Sequence, residues 1–132
     1  MPHLVSAMLV VAGIIHVLPL IGVLGADPLH RLYGLRIEDP NLLVLMRHRA
    51  VLFGLLGGFL LHAACKRDAQ IAALIAGLVS AGSFAWIAWS SGGADSMMSL
   101  AMFRVVAADW VAIGCLLVAL IVRLSQVSLG SE

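Results

Sequence analysis

Apolar residues along this chain gather into four long runs separated by short polar connectors. The first, Leu4 to Leu24, is interrupted only by Ser6, His16 and Pro19. The second runs from about Asn41 to Cys65, the third from Ala69 to Ser90, and the fourth from about Met97 to Leu124. A helix crossing the hydrocarbon core of a bilayer needs about 20 such residues. Open strands would leave backbone groups without partners in lipid, and no alternation of polar and apolar positions marks a closed barrel. The pattern predicts an all-α fold, a four-helix transmembrane bundle forming a single domain over residues 1–132.

The connectors carry their own signals. Lys66-Arg67-Asp68 reads as a tight polar turn, and Gly92-Gly93-Ala94-Asp95 separates the third run from the fourth. The longest connector, Ala26 to Pro40, holds two Asp-Pro pairs. Asp27-Pro28 predicts an N-cap followed by proline at the first helical position. It would start a short amphipathic interfacial helix ending at Gly34, with Leu29, Leu32 and Tyr33 on the membrane surface. Asp39-Pro40 predicts the same device at the start of the second span.

The second span must begin well before Arg49. From Arg49 to Cys65 a helix rises roughly 24 Å, short of the roughly 30 Å hydrocarbon core. Arg47-His48-Arg49 therefore lies inside the helix, where a charge needs a partner or must snorkel. Helical spacing sets Arg47, Val51, Gly54, Gly58, His62 and Cys65 on one stripe, and its Gly-xxx-Gly pair predicts a helix contact. Arg47 is expected to face the bundle, and Arg49 to turn toward headgroups beside Phe53, Leu56 and Leu60. Small-residue seams are also expected at Ala73, Gly77 and Ala81, and at Ala101, Ala108, Ala112, Cys115 and Ala119. Ser6, Gly13, His16 and Leu20 share a face of the first span. Trp86 and Trp89 fit an interfacial aromatic belt.

Composition strengthens the membrane assignment. The chain is 62% hydrophobic and 11% charged, with a mean hydropathy of +1.08. Soluble domains run near half apolar and a quarter charged, so the surplus is expected to face lipid. A formal net charge of +1 without a basic tail gives no footprint for nucleic acid. Cys65 and Cys115 lie in apolar segments without CxxC spacing and read as packed thiols. No Lys or Arg precedes the first run, which is too long for a signal-peptide core, so a retained first span is expected.

The candidate chemistry gathers at one end. Counted inward from the side of the first and third connectors, Arg47 lies about 9 Å deep, Arg104 about 10 Å, His16 about 13 Å and Asp109 about 18 Å. With His48 they form a layered polar cluster, and Tyr33, His30 and Arg31 hang above it. Arg47, His48, Arg104, Asp109, His16 and Tyr33 are the candidate ligand-binding residues; no catalytic residue is assigned. In one reading Asp109 and an arginine neutralise each other and fix helix register. In the other, the arginines hold the anionic head of a lipid or substrate while His16 and Asp109 exchange protons. Haem ligation by His16 and His48 between neighbouring helices is a further option. The histidines at 3, 16, 30, 48 and 62 include no i, i+4 pair and no adjacent Cys, so no metal site is assigned.

Arg31-Leu32-Tyr33-Gly34, the string Arg47-His48-Arg49-Ala50-Val51-Leu52-Phe53-Gly54, and Ala108-Asp109 together resemble a group of short bacterial four-span proteins without assigned function. More loosely the layout is similar to DoxX-like membrane proteins, some of which serve quinone-linked oxidoreductases. Some members of the first group carry the label phosphopantetheine adenylyltransferase. That activity is not expected of this chain, which has no threonine, no Gly-His after His30 and no βαβ pattern.

The resemblance implies a bacterial inner membrane. Counting Arg31 and Arg36 against Lys66, Arg67 and Arg123, with the intrahelical arginines set aside, orients both termini to the cytoplasm. The first functional expectation is a scaffold or accessory subunit, in contact with membrane lipids and forming a homo-oligomer or part of a larger membrane complex. The alternative is a binding protein or enzyme acting on a lipophilic small molecule, a quinone or lipid, at the polar cluster. A transporter ranks last, because four short spans leave little room for alternating access.

Overall fold

Pro19 decides the shape of the first span. Its ring has no N–H to offer the preceding turn, and α1 (Pro2–Val17) tightens there into a 3-10 helix over Leu18–Leu24. The chain continues through α2 (Ala26–Tyr33), α3 (Pro40–Cys65), a 3-10 turn at Arg67–Ala69, α4 (Gln70–Ser90) and α5 (Leu100–Leu129). This computed structural model describes residues 2–90 and 100–129, and every element among them is helical. The expected Gly92–Asp95 turn and the expected start of the fourth span at Met97 lie outside the described residues.

Four stretches are long and apolar enough to cross a membrane: His3–Leu24, Pro40–Cys65, Arg67–Ser90 and Leu100–Ser128. The shortest has 22 residues, at least about 33 Å of helix against a hydrocarbon core of about 30 Å. The last helix runs past its expected end at Leu124.

The first connector is helical, as expected, but differently anchored. Gly25, at φ 138°, ends the 3-10 helix and caps α2, so Asp27 and Pro28 fall within the first turn instead of starting it. An acidic side chain is still favoured there by the helix dipole. Gly34, at φ 71°, closes α2, donating its N–H to the His30 carbonyl at 2.7 Å. Both conformations are ones that glycine adopts without a Cβ penalty. Leu29 and Tyr33 are buried and Leu32 half-buried. The apolar face of α2 therefore turns inward onto the other helices, not outward onto a membrane surface. Asp39 does cap α3, accepting a hydrogen bond from the Asn41 N–H at 2.8 Å.

α1 packs on α3 and α5, and α4 packs on the same two helices. The α1–α3 crossing is close because Gly13 meets Gly57. A Cβ on Gly57 would lie 2.8 Å from the Gly13 carbonyl oxygen and 2.5 Å from Val17 Cγ2. Nearby, the Ser6 hydroxyl donates to the Ala64 carbonyl at 2.7 Å.

This crossing corrects the expected face of α3. Ala50, Gly57, Leu60 and Ala63 are buried, while Arg47, Val51, Gly58, His62 and Cys65 are exposed. Of the expected stripe, Gly54 packs beneath Leu20 and the exposed Arg47 reaches the Val23 carbonyl. The Gly57-Gly58 doublet offers two registers about 100° apart, and the chain takes the one that also buries Leu60. The other seams stand. Ala73, Gly77 and Ala81 are buried on α4, and Ala112 and Ala119 on α5, with Ala101, Ala108 and Cys115 half-buried.

The two halves of the molecule differ. Val5, Leu9, Leu60, Ala63, Leu74 and Leu116 close a tight apolar core toward the Lys66 end. The opposite half holds His16, Tyr33, Arg49 and Asp109. Large apolar side chains such as Leu24, Leu55, Val79 and Ile121 point outward, as does the edge-to-face pair of Trp86 and Trp89, 5.6 Å between ring centres.

Candidate ligand-binding cavity

Beneath α2 lies a cavity of about 240 Å³. Ile15, Leu18 and Pro19 form one wall, Phe53 of α3 a second, and Val105 and Ala108 of α5 a third. Tyr33 and Arg31 reach in from α2, Arg49 from α3, and Arg104 and Asp109 from α5. Leu18, Arg31 and Arg104 are exposed as well as lining it, which places them at its mouth.

The position of each polar group follows from its helix. The 3-10 helix that follows Val17 sets Leu18 and Pro19 on the wall of the cavity. Arg49 is half-buried, and its guanidinium carbon lies 5.5 Å from the Tyr33 ring centre, 5.1 Å from that of Phe53 and 5.1 Å from that of Phe84. Three aromatic faces replace water around the charge, an arrangement suited to the planar guanidinium. Asp109 is 7% exposed and within electrostatic reach of His16 and Arg49. Among the described residues its carboxylate forms no ion pair or hydrogen bond.

His16 lies behind this group and is 1% exposed. One ring nitrogen, Nδ1, is 2.9 Å from the Ala12 carbonyl. The other, Nε2, is buried with no hydrogen-bond partner among the described residues. The ring is tilted against Phe53 with 5.8 Å between centres. Burial holds the Tyr33 phenol above the usual tyrosine value, with nearby Arg49 opposing the rise and Asp109 adding to it. The phenol therefore stays protonated, and a donor, throughout the physiological range.

The expected cluster is thus partly assembled. Tyr33, Arg104 and Asp109 share the cavity, Arg31 joins them, and His16 stands behind. Arg47 and His48 are exposed and outside it. Arg47 instead donates from Nε to the Val23 carbonyl at 2.8 Å, closing the end of the 3-10 helix. His48 lies five positions before Phe53, about 140° around the helix, so the side of α3 that meets His16 is not the side that carries His48. The two histidines do not share a face, and a haem bridged by them has no place here. His30 lines a separate recess with Asp27, Arg36 and Glu38.

Arg49 lines the cavity where Arg47 was expected. Its signal was Phe53, one turn further along the helix: an aromatic partner at i+4 marks an arginine able to stay inside. No protein-family model, no curated protein and no solved structure matches this chain.

Proposed function

We propose that this chain is a four-helix bundle in a bacterial inner membrane, with both termini in the cytoplasm, that binds the polar end of a lipophilic small molecule beneath α2. The observation that carries this reading is the cavity itself. Apolar walls surround a few convergent polar groups, the usual make-up of a small-molecule site, and those groups sit within a span, where an ionisable residue marks a site by default. A register-fixing pair would bring Asp109 and an arginine into contact, and Asp109 has no such partner among the described residues.

The test is native mass spectrometry on protein purified gently from its membranes, with the visible spectrum recorded alongside. A reproducible bound mass that disappears in Asp109→Asn is expected. Interchangeable bulk lipids alone, in both proteins, would overturn the reading. For orientation, Cys65 is exposed at the end of α3. A membrane-impermeant maleimide should leave it unlabelled in intact cells and label it after permeabilisation.

One observation favours a scaffold as second reading. A Cβ on Gly58, Gly82 or Gly114 meets nothing within 4 Å, so these outward faces have room for a partner helix. A scaffold requires a stable complex with other subunits, which crosslinking in native membranes detects.

A further inference from the structure

Among the described residues the charges around the cavity are unequal: Arg31, Arg49 and Arg104 line it with one carboxylate, Asp109. Arg49 is already enclosed by Tyr33, Phe53 and Phe84. Arg31 and Arg104 remain at the mouth. Asp27, one turn before Arg31, lines the separate recess with His30 and Arg36, so it does not fill the mouth with a competing carboxylate. Arg31 belongs to the last turn of α2, and Arg104 lies only about 6 Å along α5 from Leu100. Both stand toward the same end of the long apolar helices, the end that carries α2.

We infer that Arg31 and Arg104 together hold the oxyanion head, phosphate or carboxylate, of an amphiphile whose apolar part leaves along Leu18 and Pro19. This rests on the binding reading above and narrows its ligand. Guanidinium groups bind such oxyanions through paired N–H donors, and the two positive charges disfavour a cationic head. The cavity, about 240 Å³, falls below the roughly 300–1,000 Å³ that encloses a whole drug-sized ligand. It accommodates a head and its first carbons, and the rest of the molecule must extend over the exposed, apolar Leu18. The required anion is available from a membrane lipid headgroup or from a soluble phosphate, and the chemistry at the arginines is the same.

The experiment uses the full chain in detergent, stripped of lipid and titrated with phosphatidylglycerol, phosphatidylcholine or inorganic phosphate, with occupancy read by native mass spectrometry. Phosphatidylglycerol should bind at least about tenfold more tightly than phosphatidylcholine, the scale of a charge-assisted contact. That preference should vanish in Arg31→Gln/Arg104→Gln and weaken in Arg104→Gln alone. It should persist in Arg36→Gln, which lies outside the cavity. Circular dichroism confirms that each variant is folded. Competition by inorganic phosphate would support the inference with a soluble source, and its lack, with the preference intact, would support a lipid source. Equal binding of the two lipids, or a preference that survives the double variant, overturns it. If a neutral amphiphile is still lost on Asp109→Asn, the cavity reading stands without this inference; if nothing binds at the cavity, both fall.

Discussion

The Arg49 guanidinium carbon lies 5.5 Å from the centre of the Tyr33 ring, so a charge on α3 fastens the connector helix that roofs the cavity. The same guanidinium reaches Phe84 on α4 at 5.1 Å. One side chain thereby joins α2, α3 and α4 at the end of the molecule where the apolar core is absent.

Arg49→Met should lower stability by about 1–2 kcal/mol, the range of partly desolvated cation–π contacts. Methionine keeps much of the stem and removes the charge. Arg49→Lys should recover only part of the loss, because an ammonium lacks the planar face that stacks on the rings. Thermal unfolding in one detergent checks the order: wild type above lysine, lysine above methionine. Equal midpoints for lysine and arginine would mean that charge alone, without stacking, holds the roof.

Tyr33 is the single tyrosine of the chain, so tyrosinate absorbance reports on it alone. Burial raises its pKa, Arg49 lowers it and Asp109 raises it. The midpoint should therefore lie above the usual value of 10.0 in the wild type. It should move further up in Arg49→Gln and down in Asp109→Asn. The linkage sign follows: a phenol whose folded pKa is raised stabilises fully below its unfolded pKa and loses that contribution as pH climbs through the folded value. A wild-type midpoint at the unfolded value would place Tyr33 in water and remove the roof from the cavity.

The long apolar helices were legible because apolar run length acts locally, and so does the Asp39 cap of α3; the connector helix was legible too, but its start was not, since Gly25 and not Asp27 caps it. The small-residue seams of α4 and α5 were legible too, with Ala73, Gly77 and Ala81 buried on α4 and Ala112 and Ala119 on α5. The face of α3 was not. Gly54, Gly57 and Gly58 permit two stripes, and the choice depends on Gly13 and Val17 of another helix. That rotation carried Arg47 out of the cavity and Arg49 into it. The contribution of Pro19 was hidden as well: a proline announces a break, but only the packing of Gly22 against Leu29 and Ala50 shows where the loosened chain goes.

The rotated face can be tested with two adjacent glycines. Gly57→Ala places a methyl 2.8 Å from the backbone oxygen of Gly13, which cannot yield as a side-chain tip would, whereas Gly58→Ala enters open space. Overpacking of this kind costs about 1–3 kcal/mol, while an outward methyl should change stability by no more than about 0.5 kcal/mol. Unfolding midpoints of the two variants check this. The reverse order would restore the stripe expected from Gly54 and Gly58.

Arg47 separates a structural from a ligand-binding arginine. Its Nε bond to the Val23 carbonyl satisfies an acceptor near the end of the Leu18–Leu24 helix, where carbonyls lack partners along the chain. The side chain is exposed, so water competes for that carbonyl and the bond contributes about 1 kcal/mol. Arg47→Ala should therefore speed hydrogen exchange at the amides from Gly22 to Ala26 while leaving any mass bound beneath α2 in place. Arg104→Gln should do the opposite, weakening the bound mass with little effect on those amides. Loss of the bound mass in Arg47→Ala, with exchange unchanged, would return Arg47 to the ligand.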